Sequence, residues 1–112
     1  NEAESIELTG YAAISGLLKD FARLLEIPRS SFNCILNNDF DGMKEAKLDM
    51  HRRLFNLLPK RHIDAYKEAS NTENDDWKEW NLRAHLVIDF ISGMTDHFAL
   101  ETYQMLKGIK LA

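Results

Sequence analysis

The chain is predicted to be all-α, an irregular bundle of about five or six helices. Three observations carry this. Apolar residues recur at steps of three and four along most of the 112 residues. No stretch alternates apolar and polar residues long enough to read as a strand. Helix-stopping signals separate the periodic stretches: Ile27-Pro28, Pro59, the run SNTENDD at 70–76, and Gly93.

The strongest element is 77–94, WKEWNLRAHLVIDFISGM. Trp77, Trp80, Ala84, Val87, Ile91 and Met94 share one face, and Leu82, Leu86 and Phe90 form a second row beside it. So wide an apolar surface calls for other helices around it. Asn81, His85, Asp89, Ser92 and Asp96 are left as a thin polar stripe. Gly93 is expected to be a left-handed stop, and Thr95 the N-cap of the next helix.

Taken in order, residues 1–7 are polar and read as a frayed end or the tail of an upstream helix. Thr9 is expected to cap a helix that places Ile14, Leu17, Leu18, Phe21 and Leu25 on one face. Gly10 and Gly16 weaken that helix relative to alanine, and their missing side chains would let a neighbouring helix approach closely. Pro28 ends it, because the residue before a proline is pushed out of the α region. Ser30 or Ser31 is then expected to cap a short helix through Phe32, Ile35 and Leu36. Residues 37–42, NNDFDG, read as a turn. Their D-x-D-G spacing lacks the register and the final glutamate of a calcium loop.

Residues 43–58 read as one helix with Ala46, Met50, Leu54 and Leu57 in a row. Pro59 suits the first position of the following helix, 60–69, with Ile63 and Tyr66 inward. The acidic stretch 70–76 is the one clear linker. Its charge favours the start of the main helix through the helix dipole. The last helix is expected from Phe98 to about Leu106, with Phe98, Tyr103 and Leu106 inward and Lys107-Gly108 ending it.

A chain of this length forms one domain, 1–112, with one core. Apolar residues make up 45% and charged residues 29%, as in an ordinary globular protein. The net charge of −4 offers no general basic footprint for nucleic acid. The single cysteine, Cys34, excludes an internal disulfide framework and fits a reducing compartment, so a cytoplasmic location is expected. No apolar run approaches the roughly 20 residues that cross a bilayer, so no membrane is expected as a partner. With Asn-Glu-Ala at the start and no initiator methionine, the chain is expected to be a piece of a longer protein.

Residues able to do chemistry are few. His85 and Asp89 lie one helical turn apart, with Asp96 and His97 nearby. A transition-metal site needs three or four converging ligands, so an ordinary His–carboxylate contact is the favoured reading. Arg52, Arg53, Lys60, Arg61 and His62 are the only basic concentration. Brought together at Pro59 they would clamp a polyanion; the plainer reading is a solvated face neutralised by Asp64 and Glu68. Trp77 and Trp80 have acidic rather than basic neighbours, which favours core or interface anchors over a base-stacking platform. Cys34 has no nearby histidine and reads as a small buried hydrophobe. No phosphate-binding glycine loop, G-x-S-x-G elbow or H-E-x-x-H is present, and no complete catalytic apparatus is visible.

Residues 87–100, VIDFISGMTDHFAL, followed by Glu101, Tyr103 and Leu106, resemble the C-terminal signature of bacterial deoxyguanosine triphosphate triphosphohydrolases, of the HD-domain superfamily. The G-M-T-D run, Gly93 to Asp96, matches without a gap. Residues 6–11, IELTGY, running into ISGLL at 14–18, are similar to the family's helix before this region. Arg53-Leu54, Leu57-Leu58-Pro59 and Tyr66 are similar to its R-L-x-x-L-L-P segment.

The resemblance implies an all-helical, homo-oligomeric parent enzyme that hydrolyses dGTP to deoxyguanosine and triphosphate. A divalent metal, Mg or Mn, would be held by an HD motif in an N-terminal part that this chain lacks. Asp96-His97 has the reverse order and is not that motif. Without the metal there is no activated water, so this piece alone is expected to be inactive, with no catalytic residue and no metal ligand of its own. Its implied role is to close the substrate pocket and join subunits. Glu7 would reach the ribose, and Arg52, Arg53, Lys60 and Arg61 the triphosphate. Asp89, Gly93, Met94, Thr95 and Asp96 are implied to be structural. The competing reading is a non-enzymatic helical protein–protein interaction module. A further reading gives the parent single-stranded nucleic acid as a partner.

Overall fold

A computed structural model describes the backbone of residues 2–111 and the side chains of residues 10–108. Among the described residues there are eight helices and no strand. They are α1 (Glu2–Phe21), α2 (Arg23–Glu26), α3 (Arg29–Leu36), α4 (Phe40–Glu45), α5 (Asp49–Phe55), α6 (Lys60–Ser70), α7 (Asp76–Ser92) and α8 (Asp96–Leu111). The all-α expectation holds. The larger number of segments comes from two breaks: the helix expected to run from Thr9 to Pro28 divides at Ala22 into α1 and α2, and the helix expected at 43–58 is divided between α4 and α5. Lys47 adopts φ 57°, a left-handed conformation that ends α4 and starts a new direction. The break buries Leu48 and leaves Ala46 exposed, so Ala46 is not in the apolar row assigned to it.

Other local expectations need correction. Thr9 is inside α1 rather than at its N-cap, because helix already runs from Glu2. The turn expected at 37–42 is shorter. Asn38 supplies the left-handed step at φ 53°, and the Asp39 carboxylate caps α4 by accepting from the Gly42 N–H at 3.0 Å. Gly93 is not left-handed: its φ is −83°, and α7 ends through ordinary turn hydrogen bonds. Thr95 does cap α8, its Oγ1 accepting from the Phe98 N–H at 3.1 Å.

The core gathers Ala13, Leu17 and Phe21 of α1, Phe32 and Ile35 of α3, Leu54 of α5, Leu86, Val87, Phe90 and Ile91 of α7, and Ala99 and Leu106 of α8. Phe21 meets Phe90 edge to face at 5.7 Å, and Phe32 meets Tyr66 in the same manner at 5.3 Å. Leu18 and Phe98, expected inward, are exposed, and so is Trp77 at 69%. Trp77 instead stacks on Trp80 at 5.6 Å between ring centres.

The glycines of α1 behave as expected. A Cβ on Gly10 would lie 2.7 Å from the Asp96 Cβ, and one on Gly16 would fall on the Tyr103 ring. Both positions face α8 in the same sequence direction, so α1 and α8 run parallel in close contact. The G-M-T-D turn therefore seats the start of α8 against Gly10, and Met94 packs against the core beside it.

Candidate functional site

The most heavily built polar site in the fold is buried. Arg83 and Glu79 of α7 are only 2% and 1% exposed. Arg83 donates from Nε to Glu79 Oε2 at 3.0 Å and from Nη2 to Glu79 Oε1 at 2.5 Å, a bidentate pair. Its Nη1 donates to the carbonyls of Leu24 at 3.0 Å and Ile27 at 2.6 Å. The Tyr66 hydroxyl donates to Glu79 Oε2 at 2.5 Å. The guanidinium also lies 4.9 Å from the Phe32 ring centre.

Pro28 explains why such a site exists. It stops α2 and leaves terminal carbonyls without helical partners. Arg83 takes those of Leu24 and Ile27, and the Trp80 Nε1–H takes that of Leu25 at 2.8 Å. On the other side of Pro28, Arg29 donates to the carbonyls of Ser70 at 3.1 Å and Glu73 at 2.6 Å, past the end of α6. One cluster thus ties α2, α3, α6 and α7, and it holds the acidic linker as well. Burial pushes the Glu79 carboxyl upward, but the hydrogen bonds from Arg83 and Tyr66 outweigh it and the net shift is downward. Burial and the Glu79 carboxylate push the Tyr66 phenol well up.

The sequence reading missed this cluster because charged residues were assigned to the surface. The signal was available: 79, 83, 86 and 90 continue the second apolar row through Leu86 and Phe90, and Glu79 precedes Arg83 by four residues.

The cations proposed for substrate do not line a single hollow. Arg52 borders a hollow of about 320 Å³ with Phe40, Met43, Lys44, Lys47 and Asp49, its guanidinium 5.4 Å from the Phe40 ring centre. Arg53 pairs with Asp49 at 3.5 Å, both side chains exposed. Lys60 pairs with Asp64 at 3.0 Å and borders a different hollow, with Lys67 and Asn38. Arg61 is exposed and lines neither. Lys44 and Lys47 beside Arg52 were not singled out from the sequence, because α4 and α5 read as one helix. The side chain of Glu7 lies outside the described residues.

Asp89 and His85 are exposed and border a shallow groove with His62 and Tyr66. Among the described residues no group of three or more His, Cys, Asp or Glu is placed to hold a metal ion. They do not fit the divalent metal that the resemblance implies. Cys34 is half-buried against the core, and its Sγ donates to Asp39 Oδ2 at 3.7 Å. Burial and the Asp39 charge push its thiol upward, away from nucleophilic reactivity. No helix among the described residues is long and apolar enough to cross a membrane.

Comparison with known proteins agrees with the G-M-T-D resemblance. The chain is 36% identical over 111 residues to the deoxyguanosinetriphosphate triphosphohydrolase of Yersinia pestis (strain Pestoides F), covering 94% of this chain. The enzymes of that name from Yersinia pseudotuberculosis serotype O:3 and Yersinia enterocolitica serotype O:8 are 36% and 35% identical over the same share. The chain spans about a fifth of these relatives' length, 21% in each case. Residues 33–105, from within α3 into α8, match the family described as phosphohydrolase-associated domain. That match covers more than half of the chain, which therefore belongs to the phosphohydrolase-associated domain family.

Proposed function

We propose that the chain is the C-terminal helical part of a dGTP triphosphohydrolase, a joint that shapes the substrate pocket and carries subunit contacts. The observation that carries this reading is the 36% identity to enzymes of that name across 94% of the chain. The buried Arg83 cluster supports it, because a supporting element must hold its shape while other residues react. In this reading the catalytic metal, Mg or Mn, is bound by parts of the parent beyond these residues. The chain supplies charge. Arg52 and Arg53 of α5 and Lys60 and Arg61 of α6 approach the triphosphate, where guanidinium groups hold phosphoryl oxygens bidentately. Glu7 approaches the ribose. The parent is a homo-oligomer, and the isolated piece turns over no substrate.

The test gives the isolated chain and the complete parent dGTP with Mg or Mn and measures triphosphate release. Release by the parent alone is expected. Release by neither removes the enzyme reading and leaves a helical interaction module. Arg53→Ala in the parent is expected to raise KM for dGTP, and an unchanged kinetic profile would return Arg53 to the surface. Single-stranded nucleic acid as a partner of the parent predicts an affinity that falls steeply with salt, and a flat response excludes it.

A further inference from the structure

Trp77 is the largest apolar side chain left exposed among the described residues. Its ring is held in place. It stacks almost parallel on Trp80, with 6° between the planes and 5.6 Å between the centres. Trp80 is half-buried and is fixed in turn by the hydrogen bond from its Nε1 to the Leu25 carbonyl at 2.8 Å. One face of the Trp77 ring therefore lies on a pinned neighbour, and the other is open to solvent. Flat aromatic side chains held in this way suit a protein interface, because little conformational freedom is left to lose on contact.

The charges beside the ring are mostly of one sign. Glu73, Asp75 and Asp76 precede it, and Lys78 follows. Asp75 Oδ1 accepts from the N–H groups of Trp77 and Lys78 at 2.8 and 3.1 Å. Glu73 Oε1 accepts from the Asp75 N–H at 3.0 Å. Each of these carboxylates uses one oxygen and leaves the other open, and the exposed Asp76 side chain has no partner among the described residues. Arg29, the other cation close by, is half-buried and directs its N–H groups to the Ser70 and Glu73 carbonyls. The open ring face is thus bordered by carboxylates that lack a counter-charge.

We propose that Trp77 and these carboxylates form a docking surface for a basic segment of a partner protein, with one arginine of that segment laid on the open face of Trp77. A cation over an indole face is attracted by the negative charge of the ring surface, and a guanidinium adds flat stacking that an ammonium lacks. Its N–H donors point outward in its own plane, toward the edge of the ring, where the open oxygens of Asp75 and Asp76 can only accept. The charges exclude other occupants. An apolar partner would cover the carboxylates without a counter-charge. A single nucleic-acid strand also has rings to stack, but the carboxylates repel its phosphates.

The experiment follows the Trp77 indole N–H resonance in the intact chain, identified by its loss in Trp77→Leu. The probes are a short glycine-spaced peptide carrying two arginines, its lysine counterpart and its glutamate counterpart. The backbone amides of Asp76 and Lys78 report affinity in the variants. The arginine peptide is expected to move the Trp77 signal saturably, with an affinity that falls as salt is added. The lysine peptide is expected to bind at least about threefold more weakly, and the glutamate peptide not at all. Trp77→Leu is expected to lose about fivefold in affinity for the arginine peptide, and Asp76→Asn about threefold, both with thermal unfolding unchanged. No saturable shift, equal binding of the lysine peptide, or wild-type affinity in either variant would overturn the proposal. So would a Trp77 signal that moves with protein concentration alone, which would make a second copy of the chain the occupant.

Discussion

Two acid–arginine pairs in this protein have the same spacing and opposite surroundings. Glu79–Arg83 in α7 and Asp49–Arg53 in α5 both place the acid four residues before the arginine. In the first pair the side chains are 1% and 2% exposed and the contact is 2.5 Å. In the second they are 78% and 48% exposed and the contact is 3.5 Å. The buried pair is surrounded by backbone carbonyls freed by Pro28 and by the Tyr66 hydroxyl, and it joins four helices. The exposed pair joins nothing beyond its own helix and leaves Arg53 free to turn toward a ligand. Motif spacing alone does not separate a buried ion pair from an exposed one; the surrounding demand for hydrogen bonds does.

The largest effect is expected from Arg83→Ala. It leaves the Glu79 charge and the Leu24 and Ile27 carbonyls buried without their donor, at a cost of about 3–5 kcal/mol. Urea unfolding measures it, and a loss below about 1 kcal/mol would show that water replaces the guanidinium freely. Next is Gly16→Ala, whose Cβ falls on the Tyr103 ring. Its expected cost is about 1–3 kcal/mol from overpacking, and Tyr103→Ala in the same chain should relieve part of it.

The pH response sharpens the contrast further. The Glu79 carboxyl sits below its ordinary 4.5 in the folded chain, so its stabilisation is present above that value and is lost as pH falls through the folded one. The Tyr66 phenol sits above its ordinary 10.0, so its contribution is complete below that value and declines as pH rises beyond it. Tyr66→Phe should flatten the alkaline limb, and an unchanged limb would show that Tyr66 is not the group responsible. The smallest effect is expected from Arg53→Ala. It should change stability by no more than about 0.5 kcal/mol, because exposed pairs contribute little.

Much of this was legible in the sequence, and the failures share a cause. The apolar row of α7, the stop at Pro28, the Thr95 cap and the close approach at Gly10 and Gly16 are local, and local rules found them. Lys47 in a left-handed conformation was not legible, because no glycine or asparagine marks it. Trp77 was read as a core or interface anchor from its acidic neighbours, and its place outside, stacked on Trp80, excludes the core. The buried Arg83 was hidden by its own charge: periodicity placed it inside, and residue type placed it outside. Only the unpaired carbonyls around Pro28 decide between these, and they belong to a different part of the chain. Arg52, Arg53, Lys60 and Arg61 stood out as a basic concentration, but that only Arg52 and Lys60 border hollows, and different ones, is set by how the helices pack.

The most direct test of this account is a pair of double-mutant cycles, Glu79→Gln with Arg83→Met and Asp49→Asn with Arg53→Met, read by urea unfolding. The account predicts a coupling above about 2 kcal/mol for the buried pair and below about 0.5 kcal/mol for the exposed one. Equal couplings in the two pairs would contradict it.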